Sequence, residues 1–328
     1  MLGRFIARRL LYMVILLVAM SVVSFIIIQL PPGDYMESYI ARLQAEGMQI
    51  DDSAIAALRK RYGLDQPPHI QFLTWAGRLL KGDMGRSFQY NRPVAELVFE
   101  RVPMTVLVTL ASLLVTYLIA VPIGIYSATH QYSLGDFVAT AIGFVGIAMP
   151  NFLFALILMW ALYKWFGLGI GGLFSQGMET APWNWAKVVD LVKHLPAPLI
   201  VISVSGAAGL IRVLRGTLLD ELGKQYVQSA RAVGLPESRL LFKYPVRIAI
   251  TPLISSIGWM LPSLVSGSTV VSIVLSLPTV GPLLFSSLTQ QDMYLAGGIV
   301  MFLTFMTVVG VLLSDILLAL VHPRIRFE

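Results

Sequence analysis

The side chains that could do covalent or acid–base chemistry are few in this chain. It has no cysteine, which removes disulfides, thiolate metal sites and thiol nucleophiles. The four histidines, His69, His130, His194 and His322, are scattered without ligand spacing, so no metal site is expected. The only Gly-Lys dipeptide is Gly223-Lys224. A phosphate-cradling loop needs a second glycine five residues earlier and a Ser or Thr directly after the lysine. Leu218 and Gln225 hold those places, so ATP binding by that route is not expected. Neither His-Glu-x-x-His nor Gly-x-Ser-x-Gly occurs. Asp315 is the one clear ionisable group within an apolar run, where such groups are functional by default. It lies about 10 Å along a helix from His322, at ~1.5 Å per residue, and so toward the end of its run. Pairing with a basic loop residue is favoured there over a proton relay. An enzyme is not expected from these residues.

The elements that must carry so little chemistry are apolar. Of 328 residues, 56% are hydrophobic and 13% charged, against about 25% charged in soluble domains. That balance predicts an all-α polytopic membrane protein. Its net charge of +6 reads as the bias of cytosolic loops and not as a nucleic-acid footprint. A span takes about 20 apolar residues. Six candidates follow: Leu10–Leu30, Thr105–Ser127, Phe137–Phe166, Leu195–Leu214, Thr251–Leu277 and Leu295–Val321. The first is too long for the roughly 7–15-residue core of a signal peptide and has no small-residue cleavage site. It reads as an uncleaved span. The third is long enough to tilt or to break at Met149-Pro150-Asn151, as a kink in a moving helix or a tolerated interruption.

Three units follow: 1–32 with the first span, an extracytoplasmic insert over 33–102, and a five-helix core over 103–328. In the insert, Asp52-Ser53 can cap a helix bearing Ile55, Leu58 and Tyr62, closed by Gly63. A second amphipathic helix around "HIQFLTWAGRLL" puts Phe72, Trp75, Leu79 and Leu80 inward. Basic residues set the orientation. Arg4, Arg8 and Arg9 precede the first span, and Arg212, Arg215, Lys224, Arg231, Arg239, Lys243 and Arg247 cluster between the fourth and fifth. Arg324 and Arg326 end the chain, and the loop between the last two spans has no basic residue. Both termini and the basic loop are therefore expected in the cytosol.

That loop, 215–250, holds the stretch "QYVQSARAVGLPESRLLFKYPVRIAITP". A short helix over Leu222–Gly234 is expected to end at Gly234, with Pro236 in the first turn of a second. Ser229, Ala230, Ala232 and Gly234 carry little bulk, Tyr226, Leu240, Leu241 and Tyr244 flank them with apolar area, and the basic residues can meet acidic groups. Two readings stand on these residues alone: a docking surface for a partner protein, or a basic loop packed on its own helix ends. In the fifth span, Thr269, Ser272 and Ser276 fall at i, i+3 and i+7 on one helical stripe. They read either as a lining of a solute path or as small-residue helix packing.

"SARAVG" followed by "LPESRLLFKYPVRIAITP" resembles the loop motif of ABC importer permeases, in the form of the dipeptide/oligopeptide branch. The general Glu-Ala-Ala-x-x-x-Gly pattern falls on Gln228, Ser229, Ala230 and Gly234, without its acidic residue. The opening "RRLLYMVILLVAMSVVSFIIIQLPPGD", the stretch "YGLDQPPHIQFLTWAGRLLKGDMGRSFQYNRPVAELVFERVPMT" and the end "SDILLALVHPRIRFE" are also similar to that family. The chain departs from it at Leu275-Ser276-Leu277, where an aromatic is usual, and at Pro278-Thr279-Val280-Gly281, where Pro-Gly-x-Gly is usual.

The resemblance implies a bacterial inner-membrane, type I importer-like permease subunit. It implies assembly with a second similar permease, two cytosolic ATPases and an extracytoplasmic solute-binding protein. ATP and magnesium would sit on the ATPases, with no cofactor in this chain and no nucleic-acid partner. The coupling surface for an ATPase would be Gln228, Ser229, Ala230, Arg231, Ala232, Gly234 and Leu235, and the solute a di- or oligopeptide. Oligosaccharides, opines, glutathione or nickel chelates on the same scaffold are the alternatives. A stand-alone secondary transporter would show inverted repeats with matching broken helices, and neither is present.

Overall fold

Where no water can meet a backbone amide, an apolar run must satisfy its hydrogen bonds internally, and a helix does so within one segment. The computed structural model of the chain describes residues 2–29, 66–87, 89–167, 169 and 171–321, and all regular structure among them is helical. The expected helix around Asp52–Gly63, His322 and the Arg324–Arg326 tail lie outside the described residues. In chain order the helices are α1 (Leu2–Gln29), α2 (Pro68–Leu80), α3 (Val94–Thr129), α4 (Leu134–Ala148), α5 (Asn151–Phe166), α6 (Trp185–His194) and α7 (Pro196–Leu222). Then come α8 (Gln225–Ala232), α9 (Glu237–Lys243), α10 (Pro245–Ala249), α11 (Thr251–Gly267), α12 (Thr269–Val274), α13 (Val280–Thr289) and α14 (Met293–Val321).

Four segments, Ala7–Ile26, Val94–Thr129, Pro196–Leu222 and Met293–Ile316, are long and apolar enough to cross a membrane, and the number rises to six if two bent helix pairs each count as one span. The expected third span is such a pair: α4 and α5 meet at 108° around Met149-Pro150. Pro150 has no amide hydrogen to continue α4, and it holds an extended conformation before α5. The expected fifth span is interrupted as well. α11 stops at Gly267, α12 runs only to Val274, and a turn over 275–279 redirects the chain. The second span is longer than expected, because α3 runs on unbroken from Val94 through Pro103. The boundary drawn at 102 thus falls inside a helix.

The described chain forms two compact units. One comprises Ile6–Pro103 with Pro282–Phe305. In it Phe25 of α1 packs edge-on against Phe72, with Trp75 completing an aromatic cluster. Trp75 is buried as expected, whereas Leu80 is 90% exposed, because α2 is ending and its last turn has no neighbouring face. Asp292, fully buried, accepts from Ser87 Oγ at 2.5 Å, Gln89 N at 3.0 Å and Leu295 N at 3.2 Å. One carboxylate thereby ties Ser87 and Gln89 to the start of α14.

The other unit comprises Met1–Phe5, Met104–Gly281 and Met306–Glu328. Its centre is α7, against which α4, α5, α10 and α11 pack. Leu214 and Leu218 of α7 are fully buried with Val246, Ala249 and Leu253. Gly124 allows the approach of α3, since a Cβ there would stand 3.0 Å from Leu214. A second apolar cluster joins Val201 and Ile202 of α7 to Val271, Leu275 and Leu277, and to Leu173 and Phe174.

Candidate functional site: the corner after α7

The chain leaves α7 at Leu222, passes Gly223 and Lys224, and re-enters helix at Gln225. α8 lasts eight residues and buries only Val227 completely. Its end is a Schellman corner. The Leu235 amide donates to the Ala230 carbonyl at 3.3 Å and the Gly234 amide to the Arg231 carbonyl at 3.0 Å. Gly234 has φ +85°, and a Cβ built on it would meet no atom within 4 Å. The glycine is therefore needed for its backbone conformation alone, and crowding plays no part. Pro236 stands one residue ahead of α9 and not inside its first turn, a one-residue shift from the sequence expectation.

The residues expected to dock a partner are brought together on this corner. Gln228, Ser229, Arg231, Ala232 and Gly234 are exposed, Ala230 and Leu235 are half-buried, and Val233 is 84% exposed. The result is an exposed surface on which the small Ser229, Ala232 and Gly234 stand among the longer Gln228, Arg231 and Val233. Arg231 forks onto Glu237, with Nε at 3.1 Å from Oε2 and the second contact made by Nη2 to Oε1. The pair raises Arg231 further above its usual value. Arg231 therefore staples the corner shut, a use the sequence reading did not foresee.

The root of the corner holds two carboxylates that the sequence reading did not single out. Glu221, on the last turn of α7, is buried and accepts from Lys224 Nζ and from Tyr226 Oη at 2.6 Å. Burial, reinforced by the Glu221 carboxylate, pushes Tyr226 up to about 12, so its hydroxyl remains a donor at neutral pH. Two turns back, Arg215 holds buried Asp136 at the start of α4 with two 2.9 Å bonds. Tyr132 N adds a third bond at 3.0 Å, while Ser133 Oγ caps the Asp136 amide at 3.1 Å. Ser133 three residues ahead of Asp136 was a readable capping signal. Nothing in the spacing around Glu221 announced its burial.

Thr269, Ser272 and Ser276 do not form the single helical stripe that their spacing suggested. Thr269 and Ser272 lie on α12, but Ser276 is beyond it with φ +53°. Its amide donates to the Ile273 carbonyl at 3.1 Å, and the Leu277 amide to the Ser272 carbonyl at 2.7 Å. This is a second Schellman-type corner, with serine at the left-handed position. Ser272 is buried and Ser276 exposed. Among the described residues, the hydroxyls of Ser272 and Thr279 are buried without a hydrogen-bond partner. The turn is held from outside α12: Thr105 Oγ1 meets the Val280 amide at 2.9 Å and the Gly172 amide donates to the Leu275 carbonyl at 2.7 Å. Asp315 is half-buried on α14. No group of three or more metal-ligating side chains occurs among the described residues.

Comparison with known proteins bears on both regions. Residues 120–327 match the family described as binding-protein-dependent transport system inner membrane component, and residues 1–109 match the N-terminal part of such membrane components. The chain is 35% identical over 324 residues to the oligopeptide transport system permease protein AppB of Bacillus subtilis, covering 98% of this chain and 99% of that one. It is 30% identical over 362 residues to the peptidoglycan transport system permease protein YejB of Agrobacterium fabrum, covering 99% of each. It is also 30% identical over 324 residues to the glutathione transport system permease protein GsiC of Salmonella choleraesuis, again covering 99% of each.

Proposed function

The chain belongs to the inner-membrane components of binding-protein-dependent transport systems, and from that premise we propose that the corner over Gln228–Leu235 is where a cytosolic ATPase drives it. In this reading the chain forms half of a solute path and a second similar permease forms the other half. Two ATPases and an extracytoplasmic solute-binding protein complete the importer. ATP and magnesium belong to the ATPases, and this chain does no chemistry. The observation that carries the reading is the corner itself: an exposed turn with Ser229, Ala232 and Gly234 at its surface, on a helix anchored by buried Val227 and bonded Tyr226. A surface of that shape enters a groove, where a bulky or mobile one would not.

The solute is a short peptide or a peptide-like molecule, as the names of the oligopeptide, peptidoglycan and glutathione relatives suggest. The segment 268–281, with Thr269, Ser272 and Ser276, is this chain's contribution to the path. Its support is the interruption of the helix at this point, with Thr269 half-buried at the start of α12 and Ser276 exposed beyond its end. Both termini and the corner face the cytosol and the insert faces outward, following the basic residues. A reporter fused after Lys224 then stays cytosolic and one fused after Arg86 is exported.

The deciding experiment is Ala230→Glu in the assembled importer. It places a carboxylate on a surface meant to be buried, and an uncompensated buried charge costs about 3 kcal/mol or more. The ATPase should no longer co-purify, while membrane insertion and pairing with the second permease persist. A variant that keeps its ATPase and transports a labelled peptide at the wild-type rate overturns the reading.

A further inference from the structure

A docking knob transmits force only if its root does not bend. The link between α7 and α8 is two residues, Gly223 and Lys224, and neither residue caps α8 with its side chain. Left to itself, such a link is a pivot. The side chain of Glu221, only 10% exposed, closes it from the α7 side. Lys224 Nζ donates to Oε1, and Tyr226 Oη donates to Oε2 at 2.6 Å, so one carboxylate oxygen is held by the link itself and the other by the first turn of α8. Val227, completely buried, packs the first turn of α8 beneath them.

The end of α7 is fixed in turn. Arg215 holds Asp136 at the start of α4, and Thr217 Oγ1 donates to the Ala249 carbonyl of α10 at 3.2 Å. Leu218, the next residue, is fully buried. Movement of α8 is thus passed to α7, and so to α4, through the few ångströms around Glu221, while α10 is also reached through α9, on which α8 packs. A buried carboxylate suits this post. Rotation of α8 about the link would strip it of both donors at once, and a charge in that position is penalised far more than a neutral group.

We propose that Glu221, clamped by Tyr226 and Lys224, is the positioning residue that makes α8 and α7 move as one lever. The proposal rests on the reading that the Gln228–Leu235 corner meets the ATPase. It assigns to Glu221 no contact with solute, nucleotide or partner.

The test uses the complete importer in proteoliposomes, with spin labels on cysteines introduced at Arg212 of α7 and Gln225 of α8, both exposed. The chain has no cysteine of its own to interfere. With the native joint the label distance is narrow and the same without nucleotide and with ATP bound. Tyr226→Phe removes one hydroxyl and no apolar bulk, and Glu221→Gln removes the charge at nearly constant shape. Each should keep the ATPase attached, broaden the label distance, and lower the labelled peptide moved per ATP by about fivefold, the scale of one buried hydrogen bond. Combining the two should add little, because both open the same clamp. A narrow distance in both variants overturns the proposal, whatever the yield. A broad distance with undiminished yield per ATP overturns it too, since the joint then flexes without consequence. Ala230→Glu separates this from the docking reading: if that variant still binds ATPase, the docking reading fails, while the label distance still reports on the joint.

Discussion

The two corners at Gly234 and Ser276 share one backbone motif and differ in almost everything else. At each, the amide after the left-handed residue reaches back to a carbonyl five residues earlier: Leu235 to Ala230 and Leu277 to Ser272. At each, the left-handed residue itself donates to a carbonyl three residues earlier. Gly234 adopts φ +85° in open surroundings, with Val233 exposed and Leu235 half-buried. Ser276 adopts φ +53° between Leu275, completely buried, and Leu277, 2% exposed. The first corner is held by its own residues, Gly234 in its left-handed conformation and Arg231 forked onto Glu237. The second is imposed by what surrounds it, namely apolar packing of the two leucines and the bonds from Thr105 and Gly172. A corner of the first kind can present itself to a partner without support. A corner of the second kind can be altered only by moving its neighbours, as expected of a segment within a helix bundle.

Breaking the first corner should have the largest effect. Gly234→Val places a β-branched residue at positive φ, a genuine outlier. Nothing crowds the site, so the whole penalty is backbone strain of about 1–3 kcal/mol. α9 would leave α8 in another direction, and the docking surface would be lost with it. Transport of a labelled peptide should fall to near background, with the chain still inserted and paired with the second permease. Wild-type transport by Gly234→Val would mean that this corner's shape does not matter.

A smaller effect is expected from adding bulk near the second corner. Thr269 is half-buried at the start of α12, and its Cα lies 3.1 Å from where a Cβ on Gly281 would be. Thr269→Trp should lower peptide uptake by roughly tenfold while ATPase attachment is retained, in keeping with the 1–3 kcal/mol typical of overpacking. Uptake at the native level with Trp in place would remove this segment from the path.

These two corners also mark how far the sequence could be read. Gly234 ahead of Pro236 is diagnostic in residue type, so the end of α8 was legible. The apolar runs of α1, α7 and α14 were legible for the same reason, since the membrane admits few alternatives. Ser276 was not. A serine in an apolar run fits a helix equally well, and the stripe of Thr269, Ser272 and Ser276 followed from that assumption. Pro150 signalled a break but not its 108° angle, which depends on α4 and α5 both packing on α7. Glu221 and Asp136 were overlooked because a carboxylate near a basic loop resembles solvated charge until burial and partners are known.

The smallest predicted effects form a mirror pair that sharpens the comparison. Gly234→Ala adds a Cβ to a left-handed position with empty surroundings, so it should destabilise the chain by about 1 kcal/mol through backbone conformation alone. Ser276→Gly removes a Cβ from a left-handed position and should stabilise by a similar amount, about 1 kcal/mol, less the extra freedom that glycine gives the unfolded chain. Thermal unfolding of the purified chain in one detergent should therefore shift in opposite directions for the two variants. Transport should follow a different pattern. Gly234→Ala should weaken ATPase attachment slightly, because the corner loosens at the proposed docking surface. Ser276→Gly should leave attachment unchanged and alter only uptake, because the turn lies away from the docking surface in the sequence and is held by Thr105 and Gly172. If Ser276→Gly destabilises instead, its serine makes an interaction that outweighs the left-handed strain, and the second corner would then owe its shape to its own residue, as the first does.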